Sequence, residues 1–359
     1  MLFEKIHGCN AAVNVSNSMG DLTEGNSWQV IEQKFGFVDE LRAQDKPGSS
    51  KPRPWGPPWV RHAHHRPPGM GEDGLERHRL ACTAVIEKGG RIDLWDLARV
   101  WLRDIDPDKF GYLLGNQDRI FYDLLAAGVH PAETGRHAVW PGKIGTAKMM
   151  LPVGIANAGR PDNAARDARQ LGLLKDSPGR TGNFALDVCA ALAAGCAEAL
   201  RPAATVESVI DEALQHLSEE PAALAREALD WADDADEVWD IRPLFAERWI
   251  RRPANDAHEV FAAGLAIFRK TDAQTRDCII AAVNFGGDCD CISHVCAGLA
   301  GALRGIDSIP ADWVRTIEEQ LPDDPYTVSR RSLADTARGL HQAALAELRK
   351  ARQHADQFR

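Results

Sequence analysis

Asn284-Phe285-Gly286-Gly287-Asp288-Cys289-Asp290-Cys291 runs directly into an apolar stripe made of Ile292, Val295, Cys296, Leu299, Ala300 and Leu303. The stripe repeats at the helical period, so it predicts a buried helix that begins at the aspartates. Two adjacent glycines permit a backbone bend that a side chain would resist. Carboxylates at a helix start are favoured by the dipole and by capping, so one reading of Asp288 and Asp290 is an N-cap. A single Asp suffices for a cap, however. A pair two positions apart, set behind Gly-Gly and flanked by apolar sequence, also reads as hard oxygen ligands for Mg²⁺ or a similar ion.

Outward from this stretch, the same period recurs. Leu94, Leu97, Ala98, Trp101 and Leu102 form one stripe, and Leu186, Cys189, Ala193, Cys196 and Leu200 form another. Val206, Val209, Ile210, Ala213 and Leu217 make a third, and Leu333, Ala337, Leu340, Ala344 and Leu348 mark a C-terminal helix within 330–359. Such stripes belong to packed amphipathic helices, and their many small residues allow close approach. Strand-like alternation is nearly absent. The exception to the helical reading is 46–71, from Lys46-Pro47-Gly48 to Pro67-Pro68-Gly69, where proline is too dense for helix interior. We read it as a long loop inserted near the start of one all-α domain spanning 1–359. Trp55, Trp59, His62, His64 and His65 favour an ordered, packed loop that could close over a ligand. The two tryptophans either stack on a base or pack the loop down. The three histidines lack the usual spacing of a zinc site.

The bulk numbers set limits. With 359 residues, 44% hydrophobic and 26% charged, the chain can bury a sizeable core without staples. A net charge of -10 argues against nucleic acid as a partner. None of the 8 cysteines sits in a C-x-x-C pair, and several fall on apolar stripes, which suits a reducing compartment. No stretch approaches the ~18 apolar residues of a membrane span, and Met1-Leu2-Phe3-Glu4-Lys5-Ile6 has no leader-like run. The expectation is a cytoplasmic protein.

The segment 284–291, followed by Ala297-Gly298-Leu299-Ala300-Gly301-Ala302-Leu303-Arg304-Gly305-Ile306 and Ile309-Pro310-Ala311-Asp312-Trp313, resembles the C-terminal signature of the ADP-ribosylglycohydrolase family over about thirty positions. That signature is N-x-G-G-D-x-D-T, a small-residue helix, then G-I-x-x-I-P-x-x-W. Further segments follow the family's order. Gly8 to Gly25 resembles its opening helix and G-D-A-x-G-x-P-x-E, with Met19, Gly20, Thr23, Glu24 and Gly25 in place and Asn17 for the family's aspartate. Gly71-Glu72-Asp73-Gly74 stands where the family has T-D-D-T, keeping both carboxylates and losing both threonines. Gly145-Thr146-Ala147-Lys148-Met149-Met150-Leu151-Pro152-Val153-Gly154 resembles N-G-x-x-M-R…P-x-G with the Asn and Arg lost.

The resemblance implies an orthogonal all-helical domain, a pair of Mg²⁺ ions, and cleavage of the bond between ADP-ribose and an acceptor. By it, Glu72, Asp73, Asp288 and Asp290 would bind metal, Glu24 would position or deprotonate the attacking water, and Asp288 would share in catalysis. Asn17, Gly145, Thr146, Trp55 and Trp59 would line the substrate site; Gly-Thr amides can cradle oxyanions, although they equally suit an ordinary helix start. The substrate would be a nucleotide-like small molecule or an ADP-ribosylated protein. Departures at Gly71, Gly74 and Cys291 each remove an oxygen donor, and Asn17 replaces a carboxylate by an amide, so one ion, or Mn²⁺ or Zn²⁺, becomes an alternative. A catalytically lapsed nucleotide-binding relative, or a biosynthetic enzyme reusing the cleft, also fits these losses.

Overall fold

The structure is a computed structural model that describes residues 1–53, 58–179, 182–249 and 255–358. It is 66% helical and 4% strand, as the all-α reading expects. The periodic stretches each form a helix: Leu94–Asp104, Ala185–Ala199, Val206–Gln215, Cys289–Arg304 and Leu333–Asp356. Local chemistry sets their ends. Asp93 accepts the amides of Trp95 and Asp96, and Asp96 accepts the Asp93 amide in return, the reciprocal cap that satisfies orphan donors of a first turn. Gly89 closes the Asp73–Lys88 helix in the left-handed conformation at φ 66°.

Buried apolar side chains from Ile6 to Ala344 form one contiguous core. At its centre the N-terminal helix, Leu2–Gly20, lies against Cys289–Arg304. The two backbones nearly touch. A Cβ on Gly8 would sit 2.5 Å from the Gly301 carbonyl oxygen, and one on Gly301 would sit 2.6 Å from the Gly8 carbonyl carbon. A Cβ on Gly20 would lie 2.7 Å from Asp290 Cα. Absent side chains at these crossings let the end of the first helix, at Gly20, meet the start of the fifteenth α-helix, at Cys289.

The proline-rich segment departs from the loop reading. Within it and its approach, β1 (Gln44–Lys46) pairs antiparallel with β4 (His64–Arg66), and β2 (Ser49–Lys51) pairs with β3 (Trp59–Arg61). The result is an interrupted two-stranded ribbon. Its physical basis is the placement of the prolines: Pro47, Pro52, Pro58 and Pro67 all fall beside the paired positions, never on them. Proline removes a ladder donor only where it is paired. The three loop histidines are separated by the ribbon: His62 stacks on Tyr112 with ring centroids 4.5 Å apart, His64 donates Nδ1–H to the His62 carbonyl at 2.7 Å, and His65 pairs with Asp45.

All eight cysteines are buried free thiols. Among the described residues, no helix is long and apolar enough to cross a membrane.

Candidate active site

The Gly-Gly bend carries the site. Gly286 and Gly287 take φ values of 97° and 77°, the left-handed region that favours glycine. A Cβ at Gly286 would also press to 2.7 Å from the Trp28 amide nitrogen. The bend pairs with the turn after the first helix: Gly25 N–H donates to Gly287 O and Gly287 N–H to Asn26 O, both at 2.8 Å. Thr23 Oγ1 adds a bond to Val283 O at 2.7 Å. Glu24 therefore rides on a turn stapled to the segment that holds Asp288 and Asp290.

Neither aspartate is spent on capping. Asp288 occupies the N-cap position of its helix, but its side chain accepts no cap hydrogen bond. Oδ1 of Asp288 and Oδ1 of Asp290 are both buried and find no partner among the described residues. Asp288, Asp290 and Cys291 can bring one ligand atom each within 4.8 Å of one another. Glu72 behaves in the opposite way. It caps the Asp73–Lys88 helix, accepting the amides of Gly74 at 2.5 Å and Leu75 at 2.6 Å. Asp73 is clamped by both terminal nitrogens of Arg77, at 2.9 and 2.7 Å. Arg77 in turn grips the fully buried Asp118, which also accepts from Lys175 at 2.6 Å.

The two acidic motifs meet at Lys148. This side chain is fully buried, and its ammonium lies 3.2 Å from Glu72 Oε1 and in a short hydrogen bond with Asp290 Oδ2. It passes through the space over Gly74, where any Cβ would fall inside the lysine chain. Lys148 stands in a short helical stretch, Ile144–Met149, between buried Ala147 and Met149. A lysine in so apolar a run is the sequence signal that could have revealed it, since lysine is almost never fully buried unless paired. Arg77 carried a weaker signal, its spacing of four from Asp73 on one helix. Neither was singled out from sequence.

Charge is strongly organised here. Burial, followed by the neighbouring carboxylate of Asp290, pushes Asp288 well above the usual carboxylate range. Asp290 pays the same desolvation, but Lys148 holds it below its ordinary value. Desolvation opposes the Lys148 charge, yet Asp290 keeps the ammonium protonated well above the usual lysine range. Burial raises Glu72, with Lys148 working against the rise. The geometry favours Lys148 and Asp290 as the ionised pair, with Glu72 held chiefly by backbone amides. Asp73 also meets a desolvation penalty, and Arg77 outweighs it, keeping the carboxylate ionised. Glu24 keeps a solvent-open face in the cleft, while protein crowding, then Asp290, Asp21 and Asp73, push its carboxyl up to about 8.

Above this cluster lies a cleft open to solvent. Asp21, Glu24, Glu72 and Asp73 line its acidic side, and Lys46, Trp59, His64 and Arg66 of the ribbon line another. Arg66 is 3% exposed, and its Nε and Nη2 have no hydrogen-bond acceptor among the described residues. Its Nε stands 3.8 Å from Asp21 Oδ2, beyond hydrogen-bond reach. Trp59 packs edge-on against Trp140, with ring centroids 5.1 Å apart, and the Arg53 guanidinium covers both rings. Trp55 lies outside the described residues. Asn17 is fully buried, donating to Val13 O at 2.7 Å and reaching His294 Nδ1 at 3.3 Å. Thr146 is buried, and Gly145 faces Arg77, whose Nη1 would lie 3.2 Å from an added Cβ. The structure thus brings Glu24, Glu72, Asp73 and Trp59 to the cleft, sets Asp288 and Asp290 beside them, and places Asn17 and Thr146 inside the protein.

No curated protein matches the sequence. A solved structure described as an ADP-ribosylglycohydrolase-related protein complex is similar in fold, with a TM-score of 0.62 and 20% identity over 96% of this chain and 99% of that one. The family model for ADP-ribosylglycohydrolase matches residues 1–354. The acidic floor, the helical frame and that match agree: the chain belongs to the ADP-ribosylglycohydrolase family.

Proposed function

We propose that the protein hydrolyses the ribosyl glycosidic bond of an ADP-ribosylated or related N-ribosyl compound. The observation that carries this reading is Glu24, solvent-open in the cleft and stapled by the Gly25–Gly287 pairing beside Asp288 and Asp290. Ribosyl transfer to water passes through an oxocarbenium-like state and needs a carboxyl group on the water's side. Glu24 takes the proton from the attacking water, and Asp73, fixed by Arg77, holds a ribose hydroxyl. Arg66 offers unsatisfied N–H groups within the cleft, which suits a substrate phosphate. Trp59 offers a ring face to the base, with Arg53 bracing it.

The unpartnered Oδ1 atoms of Asp288 and Asp290 fit one hard cation, and we infer Mg²⁺ there, with Mn²⁺ as a substitute. When bound, such an ion would polarise ribose oxygens. The remaining carboxylates do not fit a second ion, because Glu72 and Asp73 are already partnered by Lys148 and Arg77. Lys148 and Gly74 also support a second reading, a relative that binds ADP-ribose without turnover.

The test is release of ADP-ribose or free ribose from a panel of ADP-ribosyl-arginine, ADP-ribosyl-serine and nicotinamide-ribosyl compounds, followed by chromatography. We expect turnover that falls about 10²-fold or more in Glu24→Gln. Binding of ADP-ribose with no release from any compound would establish the second reading. Neither release nor binding would overturn both.

A further inference from the structure

We propose that Lys148 is a built-in cation that joins the two acidic motifs, so that the Glu72–Asp290 side of the cluster takes no divalent ion. The ammonium spans chain separations of 76 residues to Glu72 and 142 to Asp290. It is wholly enclosed, out of contact with bulk solvent. Its hydrogen-bond partners are oxygens that a hard cation would otherwise claim. A divalent ion between Glu72 and Asp290 would have to sit against this ammonium, and like charges at contact in a dry interior repel strongly.

A second observation is independent of charge. The lysine reaches the cluster only because position 74 is glycine; a Cβ there would overlap Cδ, Cε and Nζ of Lys148. Gly74 lies on one acidic motif and Lys148 on another segment, yet the path of the lysine requires the glycine. A hydroxyl residue at 74 would supply an oxygen ligand and evict the lysine. This chain has the reverse arrangement, with an oxygen donor absent and a fixed positive charge in its space. Electroneutrality follows the same lines. Arg77 answers Asp73 and Asp118 together with Lys175, and Lys148 is shared by Asp290 and Glu72, which leaves Asp288 and Glu24 as the acids of the cluster with no ion pair among the described residues.

The experiment counts Mn²⁺ bound by the full chain, using calorimetry and electron paramagnetic resonance, and reads no turnover. Exposed Asp162 with half-buried Glu212 and His216 forms a separate group able to hold an ion, so every protein carries His216→Ala. We expect at most one tightly bound Mn²⁺ and no exchange-coupled pair. We expect Lys148→Ala to take up one ion more than its parent, with a spin-coupled signal. Two ions or a coupled pair in the lysine-containing protein would overturn the proposal. So would a folded Lys148→Ala that gains no ion. If Lys148→Ala does not fold, the count and signal in the lysine-containing protein decide alone. Loss of the hydrolase reading leaves these counts untouched, so the two proposals fail separately.

Discussion

Asp118 shows what single residues contribute beneath the cleft. It is fully buried and holds two cations, Arg77 through both carboxylate oxygens and Lys175 at 2.6 Å. Desolvation works against its charge, but Arg77 and then Lys175 keep it below the usual carboxylate range. Lys175 pays more visibly: burial, with Arg77 adding repulsion, lowers it to about 8. Both groups are therefore charged at neutral pH. Removing one partner of such a buried network leaves uncompensated charge and costs about 3–5 kcal/mol. We expect Asp118→Ala to lose stability in that range by urea denaturation at pH 7, and to free Arg77 and hence Asp73. Glu87, the exposed partner of Arg103 at 2.8 Å, provides the contrast. Exposed pairs of this kind are worth about 0–1 kcal/mol, so Glu87→Ala should shift the urea midpoint little.

At the scale of elements, the crossing of Leu2–Gly20 with Cys289–Arg304 decides whether a site exists. The helices approach through Gly8 and Gly301, and the same contact brings Gly20 against Asp290. Backbone atoms on the opposing helix cannot rotate away as a side chain can. Overpacking costs about 1–3 kcal/mol where neighbours can adjust, and more where they cannot. We expect Gly301→Val to lose at least about 3 kcal/mol in denaturant unfolding, with Glu24 displaced from Asp290 and ADP-ribose affinity lost. Gly25, where an added Cβ meets nothing within 4 Å, sits in the left-handed region at φ 76°. There the penalty of a side chain would be backbone strain of about 1 kcal/mol, so Gly25→Ala should be the milder variant. The ribbon is the other element that matters. Its strands set Trp59 and Arg66 along the cleft, while its prolines stay outside the paired positions.

The whole molecule responds to pH through buried groups on several elements at once. His78 is fully buried, with Nε2 3.3 Å from Asn10 Oδ1 and Nδ1 unpartnered among the described residues. Desolvation, then Arg79 and Lys148, lowers it to about 3, and His294 beside it is lowered well below its ordinary value by the same burial. A histidine lowered on folding must be neutral in the folded state. The unfolded chain binds its proton below about 6.5 while the fold does not, so stability falls as pH drops from there toward 3. The slope is about 1.4 kcal/mol per pH unit for each histidine. Raised carboxyls such as Glu72 and Asp288 act oppositely, binding protons in the fold as pH falls. The clean observable is a difference. We expect His78→Gln to lose about 1 kcal/mol less than the parent between pH 7 and 5.5, by urea unfolding at both values. Equal losses would show that His78 takes up its proton in the fold as readily as in the unfolded chain.

By itself, the sequence marked the helices that carry a clear apolar stripe, such as Leu94–Asp104 and Cys289–Arg304, because a stripe at period 3.6 is buried most simply as a helix, while others such as Ala257–Lys270 went unmarked. It also marked Asp288 and Asp290 as unusual, since two acids behind Gly-Gly exceed what a cap needs, and the structure shows neither capping. Glu72 is the instructive contrast: an acid at a helix start that does cap, which its local sequence could equally have suggested. Only the tertiary structure decided that the two acidic motifs meet, because roughly two hundred residues separate them and no local pattern encodes a contact of that span. It alone put Lys148 between them, since a lysine's pKa and partners depend on what folding brings within a few ångströms, and it alone turned the proline-rich tract into a ribbon, since strand pairing is a property of two segments and never of one.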